Sequence, residues 1–383
     1  MTEGRSSPAR QPHPLGKLKS LTTSRLRTAD AGRLHPAASG PTPWPMRAHA
    51  LLARLSVAAL LSSAPQTAWA WGATGHRIVG EIAVQALPEE IPAFLRTPAA
   101  AQAVGELSRE PDRSRDAGEI HDEDRDPAHF VNVSDDGRVL GGPRLDALPR
   151  TRAAYEAALR AAGADSWRAG YLPYAIVDRF QQLTKDFAYW RVLAAAERNP
   201  AWARNRAWFA ADRARREAQI LQHLGELSHF VGDGAQPLHV TVHYNGWGEF
   251  PNPRGYTQAK VHGRFEGALV RASVQPKTVA ARLAAPRLRH CCVEQGTALY
   301  LAETHKRTRD FYELEKAGGL APGDRRGAEF AADQLARGAS ELRDKIVEAW
   351  RASGDLAVGW KPVSPADVAA GRVDPFSSLY GTD

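Results

Sequence analysis

Five of the ten histidines that follow residue 70 stand in four separate stretches, each with carboxylates or other donors at a spacing that could grip a metal ion. Trp71-Gly-Ala-Thr-Gly-His76 is the first. Asp112, within Glu-Pro-Asp-Arg, and His129, within His-Phe-Val-Asn, form the second. The third runs Leu227-Ser-His229-Phe-Val-Gly-Asp233-Gly-Ala-Gln-Pro-Leu-His239, and the fourth is His262-Gly-Arg-Phe-Glu266. Residues four apart on a helix share a face, so His229 with Asp233, and His262 with Glu266, can each hold one ion. Imidazole nitrogen mixed with carboxylate oxygen suits zinc in an open catalytic site, and no thiolate lies nearby to build a structural one. Taken singly, His-x-x-x-Asp on an amphipathic helix reads as a solvated pair or a packed core histidine. Four such stretches together do not read as accident.

As a set, and in this order, these motifs resemble the zinc-dependent phospholipase C and single-strand-specific nuclease superfamily, from Trp71 to about Glu266. The resemblance implies three zinc ions. It implies that Trp71 binds one through its own amine and carbonyl, with His76 beside it, once a leader ending at Ala70 is removed. Asp233 would bridge to a neighbouring ion held also by Asp112, His129 and His229, while His239, His262 and Glu266 would hold the third. Asp112 and Asp233 are thereby expected at the reacting centre. Asp116 lies four residues beyond Asp112 and could face the same way, although Pro-Asp-Arg resembles the family pattern and favours Asp112. The implied activity is hydrolysis of phosphate diesters by metal-activated hydroxide, because close dications lower the pKa of water and neutralise the phosphate.

The ligands do not separate the two substrate classes, phospholipid and single-stranded nucleic acid. Trp-Gly-x-x-Gly-His and the 23-residue step from His239 to His262 resemble the nuclease branch. Glu266, where nucleases usually carry Asp, the loop His243-Tyr-Asn-Gly246 and the lack of disulfides resemble the phospholipase side and tilt the reading toward it. Phe130 and Asn132, beside His129, are candidate substrate contacts; Phe130 could stack on a base or serve as a pocket wall. A secreted zinc-binding protein without catalysis is the alternative from another class. No Gly-x-Ser-x-Gly elbow and no phosphate-cradling glycine loop occurs, which sets aside serine hydrolysis and nucleotide binding of that kind. His121-Asp-Glu-Asp-Arg-Asp126 lacks the glycine of an EF-hand and reads as a solvated acidic loop. No obligate protein partner is expected.

Placing these residues takes a helical frame. Segments 75–96, 150–162, 170–197, 202–232, 258–284, 289–316 and 326–352 read as helices; in the fourth, Ile220, Leu221, Leu224, Leu227 and Val231 recur at threes and fours. Strand signals are few and isolated, so the class is all-α, a single multi-helix domain with the trinuclear site between helices. Gly232, Gly234 and Pro237 are expected to end the fourth helix. Loops are expected over 108–128, 135–143 and 241–257, and an irregular tail over 353–383. Trp167, Trp190, Trp202 and Trp208 read as core packing, and His223, His243, His290 and His305 as surface or packing residues.

The chain has 383 residues and a formal charge of +7. Of its 50 Lys+Arg and 43 Asp+Glu, 9 and 2 fall in residues 1–70, so the remainder carries 41 of each and offers no net basic footprint for nucleic acid. Residues 1–45 read as a disordered or mis-assigned upstream segment. From Met46, basic residues, a short apolar run and Ala68-Trp-Ala70 have the layout of a secretory leader, which places the catalytic domain, 71–352, outside the cytoplasm in a secreted or periplasmic protein. The only cysteines, Cys291 and Cys292, are adjacent and form no conventional disulfide framework.

Overall fold

Helix α1 (Gly72–Gln85) starts directly behind Trp71 and buries Ile78, Val79, Ile82 and Ala83 on one side. The computed structural model describes residues 71–248, 250–288 and 292–381. The expectations for the upstream segment, the leader, His290 and Cys291 lie outside them. The stretch expected as helix to residue 96 stops at Gln85, and Pro88 and Pro92 follow, each without a backbone donor. The chain restarts as α2 (Pro98–Leu107), where the Thr97 hydroxyl accepts from the Ala100 amide at 3.1 Å and Pro98 occupies the first helical position.

The polar stretch expected as loop carries two short helices, α3 (Glu110–Arg113) and α4 (Glu119–Arg125). After α5 (Arg152–Ala161) and α6 (Ser166–Ala169), capped by Thr151 and Asp165, come the two long helices α7 (Leu172–Arg198) and α8 (Arg206–Ala235). Contacts Arg179–Glu226, Asp186–His223, Trp190–Glu217 and Glu197–Arg213 fall in opposite order along the two, so they run antiparallel. Helix α8 passes through Gly232 and Gly234 rather than ending there. Those glycines admit neighbours instead: a Cβ on Gly232 would stand 3.2 Å from His76 Nδ1, and one on Gly234 would stand 2.8 Å from the Tyr300 ring. The helix stops before Pro237.

The segment expected as one helix over 258–284 is broken. A π-helical stretch (Arg264–Leu269) leads into α9 (Val270–Ser273), and α10 (Pro276–Ala280) begins anew at a proline. Helices α11 (Val293–Lys316) and α12 (Arg325–Ala352) follow, with α12 lying against α1, α7 and α8. The tail departs from the expected irregular structure. It carries α13 (Pro365–Ala369) and α14 (Phe376–Tyr380), and Val358, Val363 and Val368 join Val192 and Phe209 in a second apolar cluster on α7 and α8. Among the described residues only isolated β-bridges occur, and no helix is long and apolar enough to cross a membrane.

Trp190, Trp202 and Trp208 pack on the two cores, whereas Trp167 is 48% exposed, contrary to its expected place in the interior. Between α7 and α8, fully buried Asp186 accepts from Arg216 at 2.8 Å and Gln182 at 3.1 Å and meets His223 at 2.6 Å. Replacing Asp186 with Ala strands a guanidinium that is only partly solvated. The expected loss is about 2–3 kcal/mol, below that of a fully buried pair because Arg216 reaches water. Urea denaturation measures it, and an unchanged midpoint would refute the assignment.

Candidate metal centre

The end of α8 supplies His229 and Asp233 on one face, and the turn Pro237–His239 beyond it supplies His239. Helix α1 brings His76, α3 brings Asp112, and a 3-10 turn (Asp126–His129) brings His129. His262 lies just ahead of the π-helical stretch that carries Glu266. All eight side chains are buried. They gather as three groups able to hold a metal ion between the helices: His76 with His229 and Asp233; Asp112 with His129 and His229; and His239 with His262 and Glu266. Within each group the ligand atoms lie within 4.8 Å of one another.

Asp233 faces two of these groups. Its Oδ1 stands 3.5 Å from His76 Nε2, while its Oδ2 is 3.2 Å from both His129 Nδ1 and His229 Nε2. Of the two carboxylates open in the sequence, Asp112 is buried among the imidazoles, with Oδ1 3.9 Å from His129 Nδ1 and 4.0 Å from His229 Nε2. Asp116 is exposed, with a left-handed backbone at φ 62°. Asp112→Ala is therefore expected to lose about one ion per chain and Asp116→Ala none. Elemental analysis of the purified variants decides this, and the reverse pattern would exchange the two.

Three imidazoles are oriented by backbone carbonyls from distant segments. His229 Nδ1 meets the Ser108 carbonyl at 2.8 Å, His239 Nδ1 the His129 carbonyl at 2.6 Å, and His262 Nδ1 the Tyr244 carbonyl at 2.7 Å. Donating there commits each proton to Nδ1 and leaves Nε2 as a lone-pair donor, as outer-shell partners do for metal-binding histidines. The Nε2 atoms of His239 and His262 then face each other at 3.1 Å, with Glu266 Oε2 at 3.5 and 2.7 Å. The Gln236 Nε2 stands 3.1 Å from Glu266 Oε2 and 3.4 Å from His262 Nε2, but one amide cannot serve three buried acceptors, and a proton or a cation among them would relieve their repulsion. Asp112 Oδ1, Asp233 Oδ1 and Glu266 Oε1 are also buried and accept no hydrogen bond from the described residues. Orphaned oxygens beside converging imidazoles fit divalent cations.

The electrostatics of these side chains carry the same tension. Burial pushes the Asp233 carboxyl up to about 8 and that of Asp112 up to about 6, and drives the His229 imidazole down to about 4. Burial also lowers His129, with the nearby Arg115 charge adding to it. Desolvation opposes charge on His262 and on Glu266, but their mutual attraction prevails, raising the imidazole and lowering the carboxyl.

Trp71 is fully buried, and its indole N–H donates to the Gly232 carbonyl at 2.7 Å, pinning the side chain to the ligand-bearing turn of α8. Gln236 was not singled out in the sequence; its Nε2 donates to Glu266 Oε2 at 3.1 Å while its Oε1 accepts from the Leu238 amide at 2.7 Å. Its place inside the Asp-x-x-Gln-Pro-Leu-His run was the available signal. Arg115, also missed, sets its Nε 3.5 Å from Asp112 and 3.6 Å from Asp126. His243 is a packing residue, stacked on Trp247 with ring centroids 3.6 Å apart.

A cleft of about 520 Å³ descends to His129, His239 and His262, and Phe130 and Asn132 both line it. The Asn132 side-chain amide already donates to the Arg168 carbonyl at 2.6 Å, so it also fixes the wall of the cleft. A second, more polar cleft of about 540 Å³ reaches the centre only through His129. No family model matches this chain, and no curated protein matches it.

Proposed function

We propose that this protein is a metal-dependent phosphodiester hydrolase, with zinc as its metal, of the kind that the motifs from Trp71 to Glu266 resemble. The observation that carries this reading is the meeting of His239 Nε2, His262 Nε2 and Glu266 Oε2, all acceptors, where the two histidines line an open cleft. Ions bound by the three groups would supply charge to neutralise a phosphate and to acidify water near neutral pH. The chain's own part is positioning. Carbonyls of Ser108, His129 and Tyr244 hold three imidazoles to one tautomer, so that their lone pairs are aimed before substrate arrives. Asp233 spans two groups with its two oxygens and sets their separation. Gln236 keeps the Glu266 carboxylate turned toward His262. Phe130 supplies an apolar wall beside His129, which excludes water from one flank of a bound diester.

Two proteins test the proposal, one beginning at Trp71 and one beginning at Ala70, each assayed for metal content and for hydrolysis of bis(p-nitrophenyl) phosphate. An amide nitrogen has no lone pair to give a metal, whereas a terminal amine does. The shorter protein is expected to bind about three ions and turn over the diester; the longer should lose one ion and about a hundredfold in rate. A fully loaded, inactive Trp71 form would refute hydrolysis and favour the non-catalytic zinc-binding alternative. Equal behaviour of the two would remove the terminal amine from the site.

A further inference from the structure

The opening of the cleft above His239 and His262 is edged by large aromatic side chains that the core does not use. Trp167, Tyr244 and Phe250 line it and stay 48%, 51% and 41% exposed. Phe130 and Leu140 continue the apolar wall inward. The backbone that carries Trp167 and Tyr244 is fixed by hydrogen bonds, and the Phe250 ring is packed. Trp167 sits on α6, whose Arg168 amide is capped by Asp165 at 2.8 Å and whose Arg168 carbonyl takes the Asn132 amide. The carbonyl of Tyr244 orients His262, and the Phe250 ring meets the edge of His243 with centroids 5.1 Å apart. Three anchored aromatics facing water around one opening mark an interaction surface, and tryptophan and tyrosine settle at lipid–water boundaries because one side of each is apolar and the other polar.

Charge chooses the partner. A groove that tracks nucleic acid needs a run of uncompensated cations. Residues 71–383 carry equal numbers of acidic and basic side chains, and Arg115 in the cleft faces Asp112 and Asp126. We propose that the rim of Trp167, Tyr244 and Phe250 docks on a zwitterionic lipid surface, so that a phospholipid headgroup enters the cleft from the interface. This rests on the reading of the centre as a phosphodiester hydrolase and adds the surface by which it meets its substrate. The headgroup phosphate passes Arg168 at the mouth on its way to His239 and His262, while the acyl region stays against the rings.

The test is flotation of the purified, metal-loaded protein with extruded phosphatidylcholine vesicles. The protein is expected to float, and to do so undiminished in about 0.5 M NaCl, since apolar docking is not screened. Replacing Trp167, Tyr244 and Phe250 together by Ser should cut the vesicle-bound fraction constant by about tenfold or more. Trp360→Ser is the control: Trp360 is 86% exposed but does not line the cleft, so its loss should change nothing. Should the triple variant fail to fold, Trp167→Ser alone is expected to weaken binding by about threefold. Absence of flotation, a triple variant that floats like the parent, or salt-sensitive binding to a single-stranded oligonucleotide in place of vesicles would overturn the proposal. Flotation needs no turnover, so vesicle binding without diester hydrolysis sinks the hydrolase reading alone, and hydrolysis without vesicle binding sinks the docking alone.

Discussion

Asp233→Asn is expected to lower diester hydrolysis by at least about a thousandfold and to remove at least one bound ion, the largest effect of any single replacement. The side chain keeps its size, so packing at the end of α8 survives. What changes is that one of two oxygens, each facing a different ligand group, becomes an amide nitrogen with no lone pair to offer. The remaining carbonyl oxygen can serve one group and not both. Metal content and rate should therefore fall together while the circular dichroism spectrum stays that of the parent. Near-normal turnover with a full complement of metal would remove Asp233 from the centre.

Stripping the metal with a strong chelator should lower the melting temperature by on the order of 10 °C for each site emptied. Binding to the native state alone stabilises by about 4 kcal/mol per site at a thousandfold excess over the dissociation constant, and about 2–4 °C follows from each kcal/mol in a chain of this size. The stripped protein should also depend on pH in a definite sense. Burial holds the Asp233 carboxyl up to about 8 and Asp112 up to about 6, so the native state keeps protons that the unfolded chain releases near pH 4. A raised carboxyl favours the fold at low pH and loses that advantage as pH climbs through the native value. Stripped protein is therefore expected to melt lower at pH 8 than at pH 7, a window above the range in which unfolded-chain imidazoles charge. Calorimetry with and without chelator reads both effects. A melting point unmoved by chelation, in a protein shown to be stripped, would mean that the acceptor cluster needs no cation.

Long helices were legible because helical patterning is a local property: α7, α8, α11 and α12 overlap the segments expected as helices, and in α8 apolar residues recur at threes and fours. Helix α2, only ten residues long and rich in alanine, is too short to show a repeated apolar stripe and was missed. Gly232 and Gly234 read as helix breakers in the sequence because a glycine's signal is the same whether it ends a helix or lets a neighbour approach; only the positions of His76 and Tyr300 distinguish these. The histidines and acids of the centre were legible because ligands of one ion cluster in short motifs. The carbonyls of Ser108, His129 and Tyr244 were not, since every residue has one. Trp167 shows the same limit from the other side: nothing in its neighbourhood in sequence says that it faces water.

The crossing of segments at His129 and His239 has a consequence for how the polypeptide matures. The His129 carbonyl orients the His239 ring, and the Val131 amide donates back to the His239 carbonyl at 2.8 Å, so two stretches 110 positions apart complete each other. Even the group whose ligands lie close in sequence, His239, His262 and Glu266, depends on the distant His129 carbonyl to orient one of its rings. The groups are complete only once this long-range docking is over, so the number of ions bound per chain in a preparation is expected to track the fraction of molecules that reached their native state.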